Sequence, residues 1–243
     1  MSKKVAIISG ASRGLGKSIA IALAENGYIC VITYANNPTK ADEVLQQIHR
    51  IGGDAIAIKA DVSNHAEIKN LFETVKNKFG QINVVINTAG ISILKPLEQF
   101  QPDEFSKVIE TNVTGTYNIL HQASKHIEKG GKILTFSSNV VGTLPVNYSI
   151  YAASKAAVES MSKVFSKELR GKEVTVNIIS PGPTATEMFL EGKNDDLIEQ
   201  FSKLSPFERL GTPTDIINVV RFLISSEATW INGQVIKING GSS

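Results

Sequence analysis

Tyr151 and Lys155 stand four residues apart inside a helical pattern, so both side chains lie on one helix face, one turn apart. An isolated tyrosine has a pKa near ~10, too high for acid–base work at neutral pH. A neighbouring ammonium favours the phenolate and is expected to lower that pKa, making Tyr151 a candidate general acid or base. Ser138, at the end of a short apolar run, offers a hydroxyl that can hydrogen-bond the same substrate oxygen. Near the N-terminus, Ser9-Gly10-Ala11-Ser12-Arg13-Gly14-Leu15-Gly16 follows one apolar run and opens a helical one. Glycines there let the backbone turn tightly and approach a pyrophosphate, whose charge the helix N-terminus favours. Together these residues suggest proton transfer beside a bound dinucleotide. Singly, each has a plainer reading, because serines end many strands and Tyr-x-x-x-Lys pairs arise by chance on helix surfaces. His49, His65, His121 and His126 show no metal-ligand spacing and no cysteine partner, so no metal is expected.

Such residues need a scaffold, and the hydropathy pattern predicts one. Apolar runs rich in Val and Ile at 4–9, 29–34, 55–60, 83–87, 132–136, 174–179 and 234–238 read as strands. Amphipathic stretches at 16–27, 39–51, 64–79, 102–128, 151–171 and 213–225 read as the helices between them. This alternation predicts an α/β fold: a single doubly wound Rossmann-type domain over residues 1–243, its parallel sheet of about seven strands covered by helices on both faces. The charged segment 184–205 reads as a lid over a site. With 25 basic and 23 acidic residues the net charge is +2, too small to argue for nucleic acid. Cys30 is the only cysteine, which rules out an internal disulfide and fits a reducing compartment. No apolar run is long enough to span a bilayer, and the one after Met1-Ser2-Lys3-Lys4 is too short for a signal peptide. A cytoplasmic location is expected.

The glycine spacing, G-x-x-x-G-x-G, differs from the commoner G-x-G-x-x-G and resembles the turn of the short-chain dehydrogenase/reductase family, with Ser9 where that family usually has threonine. The resemblance continues along nearly the whole chain. Asp61-Val62 is similar to the pair that touches the adenine. Asn87-Thr88-Ala89-Gly90 is similar to Asn-Asn-Ala-Gly, departing at Thr88. Asn112, Ser138, Tyr151 and Lys155 fall at the family's catalytic spacings, and Pro181-Gly182 with Thr184 and Thr186 is similar to the turn and threonine beside the nicotinamide amide. The resemblance implies hydride transfer between a nicotinamide cofactor and a carbonyl or alcohol. Tyr151 would be the proton donor and Ser138 would hold the oxygen. Asn112 would bind a water linking Lys155 to solvent, and an oxidised nicotinamide would help Lys155 lower the pKa of Tyr151.

Cofactor preference can be read at the end of the second strand, Thr33-Tyr34-Ala35-Asn36-Asn37, which has no acid to hold a ribose 2′-hydroxyl. Arg13 can meet a 2′-phosphate, with Tyr34 and Asn36 as neutral donors, so NADP(H) is expected. Ile91, Ile93, Leu94, Val140, Val141, Leu144, Tyr148, Met188 and Phe189 predict an apolar pocket suited to an aldehyde or ketone. The tail motifs resemble the branch holding 3-oxoacyl-carrier-protein reductases and NADPH-dependent aldehyde and carbonyl reductases. Carrier-protein binding would need a basic patch near the pocket mouth, for which Lys129, Lys132, Arg170 and Lys172 are candidates. A non-catalytic NADP-binding sensor is a third reading, although loss of Tyr151 or Lys155 would be its mark. An epimerase or dehydratase would need a longer chain. The family resemblance also implies a homotetramer, assembled through helices 102–128 and 151–171 and the C-terminal strand.

Overall fold

The computed structural model describes residues 3–243; Met1 and Ser2, part of the N-terminal stretch considered above, lie outside the described residues. In chain order the elements are β1 (Val5–Ser9), α1 (Gly14–Glu25), β2 (Ile29–Tyr34), α2 (Pro38–Arg50), β3 (Asp54–Lys59), α3 (His65–Phe79) and β4 (Val84–Asn87). There follow α4 (Pro102–Ile109), α5 (Gly115–His126), β5 (Lys132–Phe136), α6 (Val140–Thr143), α7 (Ser149–Glu168) and β6 (Thr175–Pro181). The chain closes with α8 (Glu187–Leu190), α9 (Asp195–Ser202), α10 (Pro213–Leu223) and β7 (Val235–Ile238). All seven strands pair in parallel in the order β3-β2-β1-β4-β5-β6-β7. The order reverses between β1 and β4, and in such sheets ligands bind in the crevice beyond the strand ends at that point.

Strand β1 shows why the sheet carries helices on both faces. Successive side chains point to opposite sides. Ala6 and Ile8 pack with Ile19 and Leu23 of α1, Val44 and Ile48 of α2, and Ile216 and Val220 of α10. Val5 and Ile7 pack on the other side with Ile68, Leu71 and Phe72 of α3, Ile119 of α5 and Phe165 of α7. All five β1 residues are buried, which accounts for the unbroken apolar run.

Two helical stretches depart from the sequence expectation. The pattern over 102–128 is not one α-helix: residues Glu110–Thr114 form a π-helical turn between α4 and α5. Such turns insert a residue into the helical ladder and re-aim side chains. The segment 184–205 holds two short helices, α8 and α9, capped by Thr186 and Asn194. No helix among the described residues is long and apolar enough to cross a membrane.

Candidate active site

At the end of β1 the Ser9 hydroxyl donates to Asn87 Oδ1 (2.5 Å), Asn87 Nδ2 donates to Thr116 Oγ1 (2.9 Å), and the Thr116 hydroxyl donates to the Asn112 carbonyl (2.7 Å). This chain ties β1 to β4 and the π turn, so a hydroxyl at position 9 is sufficient and threonine's methyl is not required. The glycines of the turn have separate duties. Gly10 has φ +67°, and a Cβ there would lie 2.8 Å from the Ala89 backbone. Gly16 lets α1 close onto the turn, since its Cβ would lie 2.6 Å from the Gly10 carbonyl oxygen. Thr88 explains its own departure from the family pattern: its hydroxyl donates to the Ser9 carbonyl at 2.6 Å.

Helices α2, α3, α9 and α10 are capped by the side chains of Asn37, Asn64, Asn194 and Thr212. Helix α1 is not; its N-cap residue is Arg13, which supplies no capping acceptor. The first N–H groups of α1 are thus left for an anion, and the two glycine positions keep the cradle shallow enough for a pyrophosphate. The exposed Arg13 guanidinium makes no ion pair or hydrogen bond among the described residues. No carboxylate stands at the end of β2: Tyr34 is half-buried against the core and Asn36 is exposed. The residues present therefore fit a dinucleotide carrying an additional phosphate. Asp61 is steadied by Ser63, whose N–H and hydroxyl both donate to Asp61 Oδ1 (2.9 and 2.7 Å), and Val62 is buried against Gly115.

The cradle leads directly to the reactive side chains. A Cβ on Gly90 would lie 3.2 Å from Lys155 Nζ and 3.3 Å from Asn112 Oδ1, so this glycine forms the floor between the two. Lys155 is buried and donates to the Phe136 carbonyl at 2.8 Å, and burial lowers its pKa from 10.5 to about 8. Tyr151 corrects the sequence expectation. Its pKa is raised, first by burial and further by Tyr148, while a hydrogen bond with Ser138 pulls the other way. The expected lowering by the ammonium does not prevail, because Lys155 is itself desolvated and turned toward Phe136, 5.8 Å from the Tyr151 ring centroid. Tyr151 therefore holds its proton at neutral pH.

Asn112 lies at the centre of the π turn and is fully buried. Its Oδ1 accepts from the Ile91 N–H (2.9 Å), and its Nδ2 donates to the Ile91 carbonyl and the Ser154 hydroxyl (2.9 Å each). The side chain is committed to clamping the loop after β4 onto α7, which leaves it little capacity for the expected water. Thr116 and Ser154, partners in these networks, were invisible in the sequence because nothing local marks a hydroxyl whose partner is 29 or 42 residues away.

Beyond Pro181, Gly182 allows β6 to pass β7, since a Cβ there would lie 2.7 Å from that of Asn239. The Thr184 hydroxyl donates to the Gly182 carbonyl, and Thr186 Oγ1 caps α8, leaving its O–H available to donate. A cleft of about 320 Å³ is lined by Arg13, Ile91, Ser92, Leu94, Met188, Glu191 and Lys193. It unites the glycine turn, the loop after β4 and the 184–205 segment. Of the expected apolar wall it gathers Ile91, Leu94 and Met188, whereas Phe189 packs edge-on against Phe201 at 5.1 Å. Leu144 and Val146 are exposed nearby in sequence to Tyr148, and the Lys95 N–H donates to the Asn147 carbonyl, joining the two loops.

The suggested carrier-protein patch is corrected by topology. Lys132 opens β5 and Lys172 precedes β6, so these cations sit at the N-terminal edge of the sheet. Ser138 and Pro181 stand at the opposite edge, roughly 15 Å away along a five-residue strand. Lys132 is buried, Lys129 pairs with Glu173, and Lys172 donates to the Ser124 carbonyl.

A glycine cradle at the switch point of a doubly wound parallel sheet, facing a Tyr–Lys pair, defines a Rossmann-type oxidoreductase. The chain belongs to the short-chain dehydrogenase/reductase family. Residues 10–243 match a family described as enoyl-(acyl carrier protein) reductase. The chain is 40% identical to a short-chain type dehydrogenase/reductase of Picea abies over 98% of its own length and 92% of the relative's. It is 38% identical to the chloroplastic NADPH-dependent aldehyde reductase 2 of Arabidopsis thaliana, covering 98% and 93%. Its fold is similar to a Burkholderia cenocepacia short-chain dehydrogenase solved in complex with NADP, at TM-score 0.93 and 31% identity over 99% of this chain and 98% of that one.

Proposed function

We propose that the protein reduces an aldehyde or ketone to the alcohol with NADPH, Tyr151 giving the proton. The observation that carries this reading is the stack of Gly90, Lys155, Tyr151 and Ser138 at the open end of a cradle that carries Arg13, unpaired among the described residues. NADPH supplies the hydride when bound. The N-terminus of α1, with Gly10, Ser12, Gly14, Leu15 and Gly16, would hold its pyrophosphate. Arg13, Tyr34 and Asn36 would read the 2′-phosphate, and Asp61, Val62, Asn87, Ala89 and Gly90 would flank the adenosine. Pro181, Gly182, Thr184 and Thr186 would border the nicotinamide, with the 184–205 segment as a lid.

In this mechanism the Ser138 and Tyr151 hydroxyls both donate to the carbonyl oxygen, fixing it and drawing charge toward it. As the carbonyl carbon accepts hydride, the Tyr151 proton moves to the oxygen. The Tyr151 phenol arrives protonated at neutral pH, which suits that direction. Lys155, buried beneath it, stabilises the phenolate left behind, and Asn112 keeps the loop over Lys155 in place. Ile91, Leu94 and Met188 offer a substrate an apolar patch in a cleft otherwise lined by Arg13, Ser92, Glu191 and Lys193. NADPH oxidation against simple aldehydes, diketones, quinones and an acetoacetyl thioester tests the reading. Turnover of a small carbonyl supports it, turnover of the thioester alone, at its 3-keto group, would move the assignment to a 3-oxoacyl-thioester reductase, and NADPH binding without any turnover would make the protein a sensor.

The lowered pKa of Lys155 has a measurable consequence for stability. The unfolded chain keeps this proton up to about pH 10.5, the folded protein only to about 8. Between those values the unfolded state binds more protons, so the lysine's destabilising effect is present below pH 8 and is relieved as pH rises. Relative to Lys155→Met, the wild type is expected to gain stability from pH 8 to 10.5, by on the order of 3 kcal/mol. Urea unfolding of both proteins across that range checks it; a constant difference would place Lys155 in a more polar setting.

We also propose a homotetramer. Phe105, Tyr117 and Val164 on α4, α5 and α7 are exposed, as is Phe222 on α10, and β7 is an edge strand of the sheet. Light scattering is expected to give four times the chain mass, and a monomer at micromolar concentration would contradict it. A cytoplasmic location fits Cys30, whose buried thiol is pushed up to about 12.

A further inference from the structure

The end of β5 meets α7 along a polar seam, and several members of that seam, Glu159 among them, have no part in the mechanism above. Thr135 and Ser162 share a hydroxyl hydrogen bond of 2.9 Å. The Phe136 carbonyl takes Lys155, the Ser137 hydroxyl donates to Glu159 Oε1 at 2.6 Å, and the Ser138 hydroxyl meets the Tyr151 phenol. Tyr151, Lys155 and Glu159 are spaced four apart and so form one stripe along the helix. Three consecutive residues of the strand end are thereby held by three successive turns of α7.

Glu159 is unusual among these. Its side chain is only 14% exposed, and its other oxygen reaches Lys163 at a loose 3.9 Å. A carboxylate is seldom placed so deep without a task for its charge or its acceptor geometry. The geometry of the strand supplies one. In a regular strand Ser137 and Ser138 would face opposite sides of the sheet. Both instead have partners on α7, just beyond the last residue of β5 and just before the backbone turns helical at Asn139 (φ −54°, ψ −24°). The Ser137 N–H still donates to the Ile179 carbonyl at 2.7 Å, and the Asn139 N–H donates to the Pro181 carbonyl at 2.9 Å. These two bonds continue the parallel ladder onto β6, and Ser138 lies between them, next to the side chain that Glu159 holds.

We propose that Glu159 is a positioning residue for carbonyl reduction: through Ser137 it sets the turn that aims the Ser138 hydroxyl at the substrate oxygen beside Tyr151. This inference rests on the proposed role of Ser138, and the experiment separates the two. Steady-state NADPH-dependent reduction is compared for Ser138→Ala, Glu159→Ala, Glu159→Gln, Ser137→Ala, and Glu159→Ala combined with Ser138→Ala. Misplacement of a reacting group costs turnover rather than cofactor binding, so Glu159→Ala should lower kcat by about tenfold with the KM for NADPH unchanged. Ser137→Ala, a milder break of the same bond that leaves the carboxylate in place, should lower kcat in the same manner and guards against a folding failure of Glu159→Ala. Glu159→Gln keeps an acceptor oxygen and should restore kcat to within about threefold of wild type. In the Ser138→Ala background, Glu159→Ala should cost nothing further. Full kcat in both Glu159→Ala and Ser137→Ala, with only a lowered Tm, would overturn the proposal and leave the functional reading standing. So would a loss that multiplies that of Ser138→Ala. Wild-type kcat in Ser138→Ala would overturn both, since Glu159 would then have nothing to aim.

Discussion

Tyr151→Phe is expected to bind NADPH as the wild type does and to reduce carbonyls ~10²-fold or more slowly, the usual cost of losing a general acid. The substitution removes one oxygen and keeps the ring. The ring's place above Lys155, 5.8 Å from its ammonium, is retained, and the cradle formed by Gly10, Gly16 and Gly90 is untouched. The lost atom is the one to which Ser138 is hydrogen-bonded. Without it the carbonyl oxygen keeps a single donor and loses its proton source. Fluorescence titration with NADPH and single-turnover reduction measure the two halves separately. Wild-type turnover in Tyr151→Phe with any active substrate would remove the residue from the mechanism, and weakened NADPH binding would give it a structural role.

The second large effect concerns the cofactor. Arg13 stands at the uncapped start of α1 with no ion-pair or hydrogen-bond partner among the described residues, while the end of β2 presents Tyr34 and Asn36 instead of a carboxylate. A hydrogen bond to a charged group contributes about 1.5–3 kcal/mol. At ~1.4 kcal/mol per tenfold, Arg13→Ala should weaken NADPH by about one to two decades. NADH, which has no 2′-phosphate, should be nearly unaffected. Adding Tyr34→Asp places a negative charge where the phosphate would lie and offers the ribose an acceptor, so the double variant should prefer NADH. Titration of both cofactors against wild type and the two variants is the check. Equal weakening of NADH and NADPH by Arg13→Ala would assign the arginine to the shared pyrophosphate, and a wild type preferring NADH would refute the cofactor assignment.

How much of this was legible in the sequence depended on whether the signal was local. The central strands were readable because β1, β4 and β5 are buried on both faces and so rich in apolar residues; β2 and β5 begin and end where the hydropathy placed them. The Tyr151–Lys155 pair was readable because helix geometry alone brings residues four apart together. The glycine turn was readable because only a residue without a Cβ fits against Ala89 and the Gly10 carbonyl. Long-range chemistry was hidden. The π turn around Asn112 breaks a pattern that reads as one continuous helix, and its partners Ile91 and Ser154 come from distant segments. The pKa of Tyr151 was misjudged because spacing reveals a neighbouring lysine but not how deeply both groups are buried. The lysines once considered for a carrier protein are close in sequence to β5 and β6, yet strand direction sends them to the far edge of the sheet.

The most direct test follows the hydride itself. Wild-type protein is supplied with a carbonyl substrate and NADPH bearing deuterium at the transferable nicotinamide position, and the product is analysed by mass spectrometry and NMR. The account predicts an alcohol with one deuterium at the former carbonyl carbon and of a single configuration, and only a trace of it from Tyr151→Phe. An alcohol without deuterium, or NADPH that stays bound and unoxidised before every carbonyl offered, would contradict it.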